Sequence, residues 1–221
     1  MTTIQCEGIL FDLDGVLVDS TPAVARVWTW WAREHGFDPE DTVRRAHGRP
    51  SIATIRELVP NADAEAENLE VERREIEDVE GVVPLPGALE LLNALPLDRW
   101  AIVTSCTRKL AHVRISAAGL PLPKFIVTAD DIKNGKPHPE PYQKGAQTLS
   151  FATQECLVIE DAPAGIRAGK AAGARVVALQ TTESDQLLRE AGANYIVKDC
   201  SGLKLDSARS TNQLNLELLN G

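Results

Sequence analysis

Two carboxylates one residue apart, Asp12 and Asp14 in the stretch ILFDLDGVLVDS (residues 9–20), follow directly on an apolar run. Residues two apart on an extended chain point to the same side, so both can share a pocket where the run surfaces. Adjacent carboxylates repel, and a divalent cation relieves the repulsion. An all-oxygen donor set of this kind suits Mg²⁺ rather than Zn²⁺. Gly15, next in line, lets the backbone turn sharply beyond the pair. A solvated turn can also contain two such aspartates, so the weight falls on what else the chain presents.

Three further clusters carry compatible chemistry. The run AIVTSCTR offers the hydroxyls of Thr104, Ser105 and Thr107 just before a helical pattern. Hydroxyls and free backbone N–H groups at a helix start bind phosphate oxygens well, although simple N-capping uses the same residues. Lys136 lies between a glycine and a proline in NGKPHPEPY, a stiff loop that can hold its charge near a carboxylate and a phosphate together. A second acidic pair, Glu160 and Asp161, ends the run VIED. Each has a plain structural explanation alone; the joint placement reads as a metal-assisted phosphate site.

The elements that must position these groups follow from hydrophobic patterning. Residues 7–12, 99–104, 124–128, 156–160 and 174–179 read as buried strands, and 194–197 adds another. Between them, 86–95, 107–118, 139–149, 163–172 and 183–191 read as helices. Strand–helix alternation of this kind predicts an α/β fold with a doubly wound parallel sheet, whose sites form beyond the carboxyl ends of the strands. From about residue 20 to 83 the rhythm breaks. Only helical patterns occur there, over 21–35, 39–46, 51–58 and 63–79, and VVPLPG (82–87) reads as a stiff return linker. The expected organisation is a catalytic core of 1–19 and 84–221 with an α-helical cap, 20–83, inserted after the first strand. Trp28, Trp30 and Trp31 read as core of that insertion. Residues 203–221 are weakly amphipathic and receive no assignment.

Composition bounds the class. The net charge of −9 over 221 residues gives no basic face for nucleic acid. No run of about 18 apolar residues points to a membrane span, and MTTIQCEGIL lacks the marks of a secretory signal. The four cysteines, Cys6, Cys106, Cys156 and Cys200, show no metal-ligand spacing and read as free thiols of a cytoplasmic protein.

With these residues in hand, the sequence resembles the haloacid dehalogenase superfamily. Its phosphatases carry an aspartate pair followed by glycine, a later Ser or Thr, a lysine and an acidic pair, in that order. Here the four are DLDGVLVD, TSCT, GKPHPEPY and EDAPAGIRAGKAAG, and they span nearly the whole chain. STPAVARVW and AHGR in the insertion are similar to sugar-phosphate and polyol-phosphate phosphatases, including glycerol-phosphate and 2-deoxyglucose-6-phosphate phosphatases. The resemblance implies that Asp12 is the nucleophile and Asp14 the general acid and base. It implies Mg²⁺ held by Asp12, the Asp14 carbonyl and Asp161, with Glu160 a direct or water-bridged ligand. Ser105 and the Cys106 N–H, with Gly15 and Thr107 alongside, would hold the phosphoryl group, and Lys136 would offset its charge. Whether Thr104 or Ser105 supplies the hydroxyl stays open.

In the insertion, His47 and Arg49 of RRAHGRPS are the candidates to touch the organic part of a small phosphorylated sugar or polyol. The expected protein is a monomer or small homo-oligomer. A sugar phosphomutase resembling β-phosphoglucomutase is the nearest alternative, but such mutases carry a histidine shortly after the aspartate pair, where this chain reads VDSTPAVARVW. A phospho-accepting signalling receiver is the alternative of another class; the long helical insertion speaks against it.

Overall fold

The computed structural model describes residues 2–46, 49–206 and 213–219. Strands β1 (Thr2–Cys6), β2 (Gly8–Phe11) and β3 (Val18–Asp19) open the chain. Four helices follow: α1 (Thr21–His35), α2 (Pro39–Ala46), α3 (Ser51–Leu58) and α4 (Ala64–Glu77). Then come β4 (Val83–Pro84), α5 (Ala88–Ala94), β5 (Trp100–Val103), α6 (Arg108–Ala117), β6 (Ile126–Val127) and α7 (Glu140–Thr148). The chain continues through β7 (Cys156–Glu160), α8 (Pro163–Ala171), β8 (Arg175–Leu179), α9 (Asp185–Glu190), β9 (Tyr195–Val197), β10 (Leu203–Leu205) and β11 (Leu214–Leu218).

Six parallel strands form the main sheet in the order β6-β5-β2-β7-β8-β9. The central strands read as unbroken apolar runs because both faces are covered. Their side chains still divide with period two. Ile9, Phe11, Trp100, Ile102, Leu157, Ile159, Val177 and Leu179 enter one core, while Leu10, Ala101, Val103, Val158, Val176 and Ala178 enter the other. Each fully buried Leu, Ile or Val contributes about 1.5–3 kcal/mol relative to exposure, so the sheet is a rigid platform for whatever leaves its strand ends. This is the α/β architecture with a parallel sheet that the patterning predicts.

The strand pattern underestimates one region. β1, β10 and β11 form a separate antiparallel sheet in the order β1-β11-β10, so residues 203–205 and 214–218, which carried no assignment, are structural. Its strands are short, and β1 finds its partner more than 200 residues away, with Cys6 opposite Leu214. Local patterning carries no record of such pairing.

Helices α1–α4 all lie between β3 and β4, which pair antiparallel, Val18 opposite Pro84 and Asp19 opposite Val83. The helices have their own core of Val27, Trp28, Trp31, Ala46, Ile55, Ala64 and Val71. Trp28 and Trp31 meet edge to face at 5.5 Å, and Trp30 instead lies half-buried beneath the Arg74 guanidinium, 3.5 Å from its ring centre. All four cysteines are buried free thiols. No described helix is long and apolar enough to cross a membrane.

Candidate active site

The carboxyl ends of the parallel strands deliver the polar groups. Asp12 leaves β2, Thr104 to Thr107 leave β5, Glu160 closes β7 and Asp161 follows it. Lys136 reaches the same edge from the loop between β6 and α7. All of them line one cavity of about 180 Å³, roofed by the α1–α4 insertion through residues including Trp28, Arg49, Asn68 and Glu75.

A continuous ionic chain runs along the cavity floor. Lys136 Nζ donates to Asp12 Oδ1 and to Glu160 Oε1, both at 2.7 Å. Tyr142 donates its hydroxyl to the same Glu160 oxygen at 2.7 Å. The other oxygen, Oε2, accepts from the backbone N–H groups of Asp161 at 2.9 Å and Ala162 at 3.1 Å. Glu160 is thereby fully engaged in fixing the lysine and the β7–α8 turn. Gly165 makes room for it, since a Cβ there would fall 1.6 Å from Glu160 Oε1.

Asp161 differs. Its Oδ2 accepts from Thr182 at 2.5 Å, but its Oδ1 is buried with no hydrogen-bond partner among the described residues. An orphaned buried carboxylate oxygen is costly. Asp12, Glu160 and Asp161 each place a carboxylate oxygen within 4.8 Å of the others, a cluster able to hold a metal ion. The all-oxygen donors and the unsatisfied Oδ1 fit a hard divalent cation. Gly15, at φ 81°, lies so close that a Cβ would come within 2.1 Å of Asp161 Oδ2. Burial pushes Asp12 up to about 7, against the pull of Lys136. Burial, then Glu160 and Asp12, lifts Asp161 well above the ordinary carboxylate range. Lys136 is raised despite its burial, because Asp12 and Glu160 hold its proton.

Asp14 belongs to a second network. Its Oδ1 accepts from Ser20 at 2.6 Å, and its Oδ2 from Arg114 Nη1 at 2.9 Å and the Cys106 thiol at 3.1 Å. Arg114 reaches across to Glu75 of α4, with Nη2 3.3 Å from Oε2. Both are nearly buried, Arg114 at 6% and Glu75 at 9% side-chain exposure, so neither charge is solvated and each depends on the other's neighbours.

The remaining expected residues divide. Ser105 lines the cavity, half-buried, while Thr104 is buried and its hydroxyl accepts the Cys106 N–H at 3.1 Å. The Cys106 N–H is thus already engaged, and its thiol faces Asp14. Thr107 caps α6, accepting from Leu110 N–H at 3.4 Å, and donates to Glu72 of α4 at 2.5 Å. Arg49 lines the cavity but donates to Glu57 at 2.8 Å, a half-exposed surface pair. His47 lies outside the described residues.

Ser20, Glu72, Glu75, Arg114, Tyr142 and Thr182 also belong to the site, although no sequence motif assigns them a role. Two of them carried a signal. The buried positions of α6 are Leu110, Ala111, Arg114 and Ile115, and those of α4 are Ala64, Val71 and Glu75. A charge on the apolar stripe of a helix marks a buried ion pair.

Residues 9–179 match the haloacid dehalogenase-like hydrolase family. Hexitol phosphatase A of Escherichia coli is 46% identical over 192 residues, covering 85% of this chain and 89% of that protein. Glycerol-1-phosphate phosphohydrolase 2 of Saccharomyces cerevisiae is 36% identical over 215 residues, 92% of this chain and 86% of that protein. The crystal structure of β-phosphoglucomutase from Clostridium difficile superimposes with a TM-score of 0.77 at 25% identity, covering 90% of this chain and 93% of that one. The chain belongs to the haloacid dehalogenase-like hydrolase family.

Proposed function

We propose that this hydrolase removes phosphate from small phosphorylated sugars or polyols through an aspartyl-phosphate on Asp12, with Mg²⁺ as cofactor. The observation that carries the reading is the floor of the cavity, where Asp12 is held by Lys136 beside the unsatisfied Asp161 Oδ1. The similarity to hexitol and glycerol-1-phosphate phosphatases supports the substrate class.

Asp12 forms a bond from its carboxylate oxygen to phosphorus as the ester P–O bond breaks. Asp14 gives the departing alkoxide a proton, without which a polyol is a poor leaving group. Asp14 then takes a proton from water, which attacks the aspartyl-phosphate and releases phosphate and Asp12. Ser105 and Lys136 bind phosphoryl oxygens, and Gly15, Thr107 and the Cys106 main chain shape that cradle. Mg²⁺ held by Asp12, Asp161 and the Asp14 carbonyl supplies charge neutralisation for phosphoryl transfer. Glu160, saturated with donors, supports Lys136 and the turn rather than coordinating directly. The insertion, proposed as a cap over 20–83, excludes water and reads the substrate, with Arg49 and His47 assigned to its organic part. In a phosphomutase of this kind a histidine would follow the aspartate pair; here the cavity-facing residues of α1 beyond Thr21 are Val24 and Trp28, neither able to ionise.

The test is a panel of sugar, polyol and nucleotide phosphates ranked by kcat/KM, with and without chelator. Polyol or sugar phosphates should lead, with activity abolished by chelation and restored by Mg²⁺. A nucleotide preference, or a single stoichiometric phosphorylation without turnover, would overturn the reading.

The raised carboxylates give an independent check of the cation site. In the unfolded chain Asp12 and Asp161 ionise near 3.8. A carboxylate raised on folding withdraws stability as pH climbs from the unfolded value through the folded one, here complete for Asp12 only above about 7. Carboxylates lowered by arginines, such as Glu70 beside Arg73, are ionised in both states above about pH 5.5 and drop out of that window. Chelated protein should therefore melt lower at about pH 8 than at about pH 5.5, and Mg²⁺ should raise Tm more at the higher pH. An equal Mg²⁺ shift at both pH values would remove these carboxylates from the cation site.

A further inference from the structure

Arg114 has no part in the chemistry described so far, yet like Lys136 it is a nearly buried cation held between two carboxylates. It projects from α6 into the seam beneath α4, where it is nearly buried. One guanidinium nitrogen serves Asp14 Oδ2 at 2.9 Å and the Cys106 sulfur at 3.1 Å; the other faces Glu75 at 3.3 Å. A planar guanidinium serves two carboxylates from separate nitrogens in fixed directions, whereas a lysine offers a single rotatable ammonium. Glu75 belongs to the insertion and Asp14 to the core, so one side chain spans both. The seam is stitched a second time, by Thr107 of the core donating to Glu72 one turn earlier on α4, at 2.5 Å. Withdrawal of α4 would break both links and leave Arg114 with only its core partners, Asp14 and Cys106.

We infer that Arg114 is a positioning residue that fixes the Asp14 carboxylate and, through Glu75, ties its orientation to the docking of α4 on the core. The proton-transfer group is thereby aligned only when the insertion is seated. The seated state is also the one that excludes water, so phosphorylation without an enclosed substrate is disfavoured. Ser20, which holds the other Asp14 oxygen at 2.6 Å, precedes α1 and belongs to the same linkage. The inference rests on Asp14 acting as the acid and base, and deepens that reading.

The experiment compares a polyol phosphate with an aryl phosphate, whose leaving group needs no proton, in single turnover and steady state. Arg114→Met is expected to lower the phosphorylation rate on the polyol ester by about 30-fold or more, with KM within about threefold. On the aryl ester the loss should be at least about tenfold smaller. Arg114→Lys, keeping charge without the fork, should recover part of the loss. Should Arg114→Met fail to fold with two carboxylates left unpaired, the Glu75→Gln/Arg114→Met double variant removes one of them and carries the same expectation. Glu75→Gln alone should show the same leaving-group bias more weakly, and its effect should vanish in the Arg114→Met background. Equal losses on both esters, or a change confined to KM, would overturn the inference, as would an unaffected Glu75→Gln. Asp14→Asn run in parallel separates the levels. If it too lacks leaving-group bias, the acid–base reading fails and this inference falls with it; if it shows the bias and Arg114→Met does not, only the inference fails.

Discussion

Replacing Asp12 by Asn should lower kcat by about 10⁴-fold, some 5.5 kcal/mol of barrier, while leaving the fold intact. The amide keeps the size of the carboxylate and can still accept the Lys136 hydrogen bond, now 2.7 Å long. It lacks the charge that attacks phosphorus. Burial raises the Asp12 carboxyl to about 7, so removing its charge also relieves a desolvation cost in the metal-free protein. The variant should melt higher than the wild type in chelator at about pH 8, although it is nearly inactive. Opposite signs for activity and stability distinguish a functional group from a structural one. Retention of more than about a tenth of the wild-type kcat, a loss under ~1.4 kcal/mol, would take the nucleophile's role from Asp12.

Asp14→Asn should divide substrates by leaving group. Phosphorylation by a polyol phosphate is expected to slow by about 10²–10⁴-fold, the usual contribution of a positioned acid. Phosphorylation by an aryl phosphate should slow by less than about tenfold. The second half-reaction also needs Asp14, as base for water. With the aryl ester the variant should therefore release one equivalent of phenol rapidly and then stall as the aspartyl-phosphate. Rapid-quench kinetics with acid trapping of the phosphorylated protein reads both halves. A uniform loss on both esters, with no accumulated phosphoprotein, would remove Asp14 from proton transfer.

The sequence exposes the main sheet and its floor because their information is local. Apolar runs mark β2, β5, β7 and β8, and the first three end where Asp12, Thr104 and Glu160 must emerge. The predicted spans 21–35, 39–46 and 51–58 coincide with α1 (Thr21–His35), α2 (Pro39–Ala46) and α3 (Ser51–Leu58), since amphipathic periodicity is a property of a single segment. What it hides is pairing at a distance. β1 and β11 stabilise one another across nearly the whole chain, and neither segment announces it. The networks around the site are hidden for the same reason. Tyr142 and Thr182 are ordinary residues until tertiary packing brings them to Glu160 and Asp161. Arg114 and Glu75 stand between these cases. Each breaks the apolar stripe of its own helix, so burial could be read locally, but only the fold reveals their pairing with each other and with Asp14.

The two-residue ribbon of β3 and β4 has an evolutionary and engineering consequence. The segments leaving and rejoining the core lie side by side, with Asp19 opposite Val83. The whole α1–α4 unit is therefore attached at what is geometrically a hairpin position, which a short turn could close. Helical units of different length or lining could be exchanged at this point without disturbing the sheet. A chain with residues 20–82 replaced by a tight turn would test whether the catalytic platform persists as an autonomous scaffold, open to grafting of new recognition modules.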